Sequence, residues 1–199
     1  MDNELLKFIK LHNLDTDDFY NARGKPVLSC YNEMKSQEKL FAYNTTPCSN
    51  AGHTIRDRQG HCIVCSTVNI SFSLRKKETG FIYIACSLGK EISKVGMTTE
   101  LIKTRLAKLN SRKVGNTNDW EIIYSIRCTK VNSVELLIHN ELRMYQYGFT
   151  ESKEIFRCSY QKAKEMVDKV ILENHIVPIE EKVYSVNTEK YKFRNLISK

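Results

Sequence analysis

Gly80-Phe81-Ile82-Tyr83-Ile84-Ala85-Cys86 is the stretch whose reading decides the fold. An apolar run of this length, rich in β-branched and aromatic side chains and entered from the charged turn Arg75-Lys76-Lys77-Glu78-Thr79, reads as a central strand. Residues 92–96 supply its hairpin partner, with Leu88-Gly89-Lys90 inside the connecting loop. Thr98-Thr99-Glu100 then opens a helix: a Thr cap is followed by Leu101, Ile102, Leu106 and Leu109 at helical spacing. Residues 120–126 read as a third strand, and Ser133 caps an amphipathic helix carrying Val134, Leu137, Ile138 and Leu142. Residues 154–157 give a short extended piece and 160–174 a last helix. The fold expected is α+β, a small antiparallel three-stranded sheet flanked by helices, over residues 75–177.

On the N-terminal side, residues 1–47 form a helical region. Leu5, Leu6, Phe8, Ile9 and Leu11 mark a short helix, the polar run Asn13-Leu14-Asp15-Thr16-Asp17-Asp18 ends it, and Gly24-Lys25-Pro26 is a break. Residues 29–43 fit a second helix or a lid. Residues 48–74 carry Cys48-Ser49-Asn50-Ala51-Gly52-His53 and, after a short loop, Gly60-His61-Cys62-Ile63-Val64-Cys65. Two ligand pairs so spaced can wrap thiolates and an imidazole around one tetrahedral Zn²⁺, with Cys48, His53, Cys62 and Cys65 as ligands and His61 competing with His53. A structural metal answers a stability problem, because so short a segment buries little apolar area. The alternative is that Cys62 and Cys65 are core residues with two surface histidines nearby. Residues 66–74 alternate Val68, Ile70, Phe72 and Leu74 with polar neighbours, the period of a half-buried strand. Residues 178–199 remain as a tail, in which Lys190, Lys192 and Arg194 interleave with Tyr191 and Phe193, a pattern fit for stacking on a single strand or for a loosely docked tail.

Composition narrows the partner. With 31 Lys and Arg against 23 Asp and Glu in 199 residues, the formal charge is +8, which favours a polyanion. No stretch approaches the ~18 apolar residues of a membrane span, and no apolar run follows a basic leader, so a cytoplasmic setting without membrane contact is expected. Seven cysteines in a reducing compartment point to metal rather than disulfide.

The order Gly80-Phe81-Ile82-Tyr83-Ile84, Lys94-Val95-Gly96-Met97-Thr98, Arg105 and Glu135 resembles the GIY-YIG nuclease superfamily, in the branch that carries K-[IV]-G as its second motif. The resemblance spans roughly residues 80–170 and implies an α/β sandwich and a catalytic set. Tyr83 matches the tyrosine that helps activate water, Arg105 the phosphate-clamping arginine, and Glu135 the carboxylate that holds one Mg²⁺ or Mn²⁺. Lys94 stands where the name has tyrosine; its ammonium could depress the pKa of Tyr83 or of water, or bind phosphate. His139, one helical turn from Glu135, could orient it or touch the phosphate. Lys103, Lys108, Arg112 and Lys113 could track a DNA backbone, and Arg112 is also a reserve clamp. Glu154-Ile155-Phe156 resembles the E-x-F element of the same branch. The function expected is a metal-dependent DNA endonuclease. The alternative is a catalytically weak DNA- or partner-binding module with a structural zinc.

Overall fold

The computed structural model describes residues 3–148, 153–184 and 187–197. The chain divides into two compact units, Met1–Arg75 and Lys76–Lys199.

The first unit is built on helix α1 (Asn3–Leu11), whose Leu5 and Ile9, four residues apart on one face, are buried. Strand β1 (Phe19–Asn21), helix α2 (Tyr31–Ser36), β2 (Phe41–Tyr43) and β3 (Arg56–Asp57) follow. They make a three-stranded sheet of order β1-β2-β3, parallel then antiparallel. The core joins Leu5, Ile9, Phe19, Leu40, Phe41, Ile63 and Ile70. Residues 66–74, expected as a strand, instead contain helix α3 (Val68–Leu74). Only Ile70 and Ser73, three residues apart, are buried there, while Val68 and Phe72 are exposed. A strand needs a ladder partner, which alternation alone does not supply.

The second unit contains β4 (Gly80–Ser87), β5 (Ile92–Thr98), helix α4 (Ile102–Ser111), β6 (Trp120–Cys128), α5 (Val131–Leu142), β7 (Ile155–Phe156), α6 (Tyr160–Glu173) and β8 (Glu180–Val183). The sheet is antiparallel with the order β7-β5-β4-β6-β8, five strands where three were expected. The two extra strands lie at the edges and are short. β8 is exposed along its whole length, so no apolar pattern announces it. It comes from the expected tail. Tyr191 is fully buried in the core, so it is not available to stack on a nucleic acid. Its hydroxyl donates to Glu121 at 2.6 Å. Parts of that tail lie outside the described residues.

One sheet face packs Ile82, Ile84, Cys86 and Val95 against Val134, Ile138 and Leu142 of α5 and Ala163, Val167 and Val170 of α6. The other packs Tyr83, Ala85, Ile92, Trp120 and Ile155 with Leu109 of α4. Two expected caps fall elsewhere. Thr98 ends β5, where its hydroxyl accepts from the Glu100 N–H, and α4 begins after Leu101. Ser133 lies inside α5, whose first turn is entered from Lys130 in a left-handed conformation.

Candidate active site

Tyr83 lies on β4 directly opposite Gly96 of β5, on the α4 face of the sheet. Its ring crosses the neighbouring strand: a Cβ at position 96 would stand 2.6 Å from Tyr83 Oη and 2.8 Å from Cζ. Only glycine leaves room for the phenol there. Arg105, in the first turns of α4, donates from Nε to Tyr83 Oη at 2.9 Å, with its guanidinium carbon 5.6 Å from the ring centroid. Burial pushes the Tyr83 phenol up to about 12, against the pull of the Arg105 charge and hydrogen bond. At neutral pH the group is therefore a phenol, with a proton of its own to donate.

Lys94 stands two residues before Gly96, opposite Ala85 on one side and Ile155 on the other. Its side chain is only 2% exposed and forms an ion pair with Glu154, just ahead of β7. Burial lowers the Lys94 pKa while the Glu154 charge resists. Burial works to raise Glu154, but the Lys94 charge and hydrogen bond outweigh it and hold the carboxyl below its ordinary value. The cation beside Tyr83 Oη is thus Arg105, and Lys94 is engaged by an acid. Glu154 is the site member that motif reading assigns no role. The signal for it is the lysine itself, since a lysine within a buried strand requires a partner. The Glu154→Gln variant is expected to melt below wild type at neutral pH. The gap should close on acidification, because a carboxyl with a depressed folded pKa stabilises above its unfolded value and ceases to do so as pH falls through the folded one. Parallel melts down to about pH 3 check this, and a gap that persists there would assign the loss to packing.

The edge of β5 supplies the third part. β7 pairs with β5 only at Ser93 and Lys94. Beyond that point side chains of α5 meet the strand: Met97 N–H donates to Glu135 Oε1 at 2.7 Å, and His139 Nε2 lies 2.8 Å from the Val95 carbonyl oxygen. The carbonyl can only accept, so Nε2 carries the proton. Burial raises Glu135 to about 7, the Glu154 charge adds to this, and the Met97 N–H, Lys94 and Arg105 oppose it. Burial lowers His139, whose ring packs 5.6 Å from that of Phe156. His139 therefore braces α5 against β5; its bond goes to the backbone rather than to Glu135. Tyr83, Lys94, Arg105, Glu135 and Glu154 lie close enough for their charges to act on one another.

Of the expected backbone-tracking residues, Lys103 and Lys108 share α4 with Arg105, and Arg112 and Lys113 follow its end. Lys108 forms an ion pair with Glu100. Lys103, Arg112 and Lys113 are exposed.

In the first unit, Cys48, His53, Cys62 and Cys65 present ligand atoms that all lie within 4.8 Å of one another, so they can hold a metal ion. His53 Nδ1 is 3.3 Å from Cys65 Sγ. Local backbone sets this geometry. Cys48 N–H donates to the His53 carbonyl, Arg56 bridges to Cys62, and Gly60 turns the chain with φ +94°. Asp57 Oδ1 accepts the N–H groups of Gln59 and His61, and its Oδ2 lies 2.9 Å from His61 Nδ1. That pairing draws His61 away and leaves His53 as the imidazole beside the three thiols. The Ala51 N–H bond, against the cost of burial, helps bring the Cys48 thiol down to about 6, which favours the thiolate a metal needs.

Among the described residues no helix is long and apolar enough to cross a membrane. No curated protein and no solved structure matches the chain. The family that does match is the T5orf172 domain, over residues 80–171, a little less than half of the chain. This corrects the GIY-YIG assignment drawn from the residues around Tyr83, Lys94, Arg105 and Glu135, for which no match is found. Short motifs, one with lysine in place of tyrosine, identify a family less surely than agreement along a whole segment. The segment from β4 nearly to the end of α6 is similar to a T5orf172 domain.

Proposed function

We propose that this chain is a metal-dependent DNA endonuclease that hydrolyses phosphodiester bonds. The observation that carries the reading is the Arg105–Tyr83 hydrogen bond over Gly96, set within reach of the Glu135 carboxylate. Arg105 spends only Nε on Tyr83, and its terminal nitrogens suit the oxygens of a phosphate. Tyr83 orients the attacking water from the same side, while the buried Lys94–Glu154 ion pair braces the strand on which Gly96 lies. Glu135 has one oxygen on the Met97 N–H and its other oxygen for Mg²⁺ or Mn²⁺, hard ions that bind through one or two carboxylates together with substrate phosphate. When bound, such an ion stabilises charge on the leaving oxygen. Three cysteines and one histidine fit Zn²⁺ in a structural role. The +8 charge and the cations on and after α4 suit a polyanionic partner, and a cytoplasmic setting accords with the cysteine chemistry.

The test is cleavage of end-labelled single-stranded and duplex DNA by the full chain with Mg²⁺ or Mn²⁺. Cutting is expected only with the ion, slowed about a hundredfold by Tyr83→Phe. Folded protein that cuts neither substrate with either ion would sink the reading.

A further inference from the structure

Beside β7 lies a groove of about 540 Å³ lined by Lys90, Glu91, Tyr147, Arg157, Arg194 and Leu196. Among the described residues that line it, three are cations and one is an acid. None of the six is Tyr83, Lys94, Arg105, Glu135 or Glu154. Lys90 sits in the β4–β5 turn, Arg157 directly after β7, and Arg194 in the C-terminal segment, so three distant stretches bring positive charge to one place. The backbone holds them there. Tyr147 N–H donates to the Ile155 carbonyl at 2.8 Å, Arg157 N–H to the Tyr145 carbonyl at 2.7 Å, and Leu196 N–H to the Arg157 carbonyl at 2.9 Å. Asn195 Oδ1 accepts the Ser159 N–H at 2.9 Å, fixing Arg194 from the next residue.

The aromatic member is already stacked. The Arg157 guanidinium lies 4.8 Å from the Tyr147 ring centroid, an arrangement whose planes can be continued by a nucleobase. Lys90 and Arg194 are exposed. Tyr147 also packs into the cluster that holds Tyr83, Ile92 and Ile155, so the groove opens on the same side of the sheet as the phenol. Lys90 lies four residues before Lys94, so the chain holds the two no more than about 14 Å apart. Duplex DNA is a poor fit, because its bases are already stacked on one another and expose only their edges. An unpaired strand offers both phosphates and open base faces.

We propose that this groove binds single-stranded DNA beside the scissile phosphate, with Lys90, Arg157 and Arg194 on phosphates and the Tyr147–Arg157 stack under a base. The inference rests on the nuclease reading for its polymer, and it names the form of that polymer. It is tested by fluorescence anisotropy, with the full chain carrying Glu135→Gln and no Mg²⁺ or Mn²⁺ added so that cutting is suppressed, on labelled oligothymidine and on duplex DNA over a range of salt. Lys90→Ala/Arg194→Ala, both at exposed positions, is expected to weaken single-strand binding about tenfold or more and to flatten its log–log salt slope by about 1.4, two phosphate contacts at ~0.7 each. Duplex binding should stay within about twofold. Tyr147→Leu should weaken the single strand about fivefold to a hundredfold without changing the slope. DNA binding in which the single strand is unaffected by the double variant overturns the groove and leaves the nuclease reading standing. Binding to the groove by a protein that never cuts DNA upholds the groove and removes the enzyme. Absence of binding to any DNA overturns both.

Discussion

The Glu135→Gln variant is expected to cut DNA about a thousandfold more slowly than wild type at saturating Mg²⁺, with its melting point nearly unchanged. The substitution is chosen for what it keeps. A glutamine carbonyl oxygen can still accept the Met97 N–H, so the contact between α5 and the edge of β5 survives. What it removes is the negative charge that a hard cation requires. Under the proposed reaction that ion contributes several kcal/mol of charge stabilisation, and about 1.36 kcal/mol corresponds to each factor of ten. Raising Mn²⁺ should recover part of the rate, whereas Glu135→Ala, which also leaves the Met97 N–H without its acceptor, should not be recovered. The readout is single-turnover cleavage against ion concentration. A variant that cuts at the wild-type rate would place the metal elsewhere or show that none is needed.

Removal of the metal at Cys48, His53, Cys62 and Cys65 should unfold much of the first unit and spare the second. That unit has short strands of three, three and two residues, and its core is divided between two small clusters. Structural Zn²⁺ binding contributes about 10–16 kcal/mol in small modules, comparable to or larger than the entire stability of an ordinary domain. The ligands also hold chain segments from Cys48 to Cys65 around β3, so their release frees the loops on both sides of that strand. Hydrogen exchange on the full chain is the measurement. After chelation, with metal loss checked by elemental analysis, protection should collapse for the amides at 41–63 and persist for those at 80–98. Cys62→Ser/Cys65→Ser should reproduce the collapse without a chelator. Protection that survives confirmed metal loss would mean the apolar clusters suffice.

Much of the second unit was legible because its signals are local. The run at Phe81 to Cys86, its hairpin partner and the strand beginning at Trp120 declare themselves by apolar content, and they became β4, β5 and β6. The last helix, expected over residues 160–174, became α6; it buries Ala163, Val167 and Val170, and Ser159 caps it by accepting the Lys162 N–H. The three cysteines of the candidate metal cluster were legible from spacing, but the choice between His53 and His61 was not. The family was not, since a handful of side chains can suggest a superfamily while the sequence around them matches another domain.

From the residues alone came the elements whose side chains repeat with a strand or helix period, the cysteines of a cluster that can hold a metal, and the residue types gathered near Tyr83. What depends on distant partners became visible only in the folded chain. β7 and β8 exist because β5 and β6 offer them edges. Tyr191 is core because Glu121, seventy residues earlier, takes its hydroxyl. Arg105 rather than Lys94 attends Tyr83, because Glu154 holds the lysine. His53 rather than His61 faces the thiols, because Asp57 holds the other imidazole. The common reason is that a buried polar group must find its partner wherever the chain brings one, and local periodicity carries no record of that meeting.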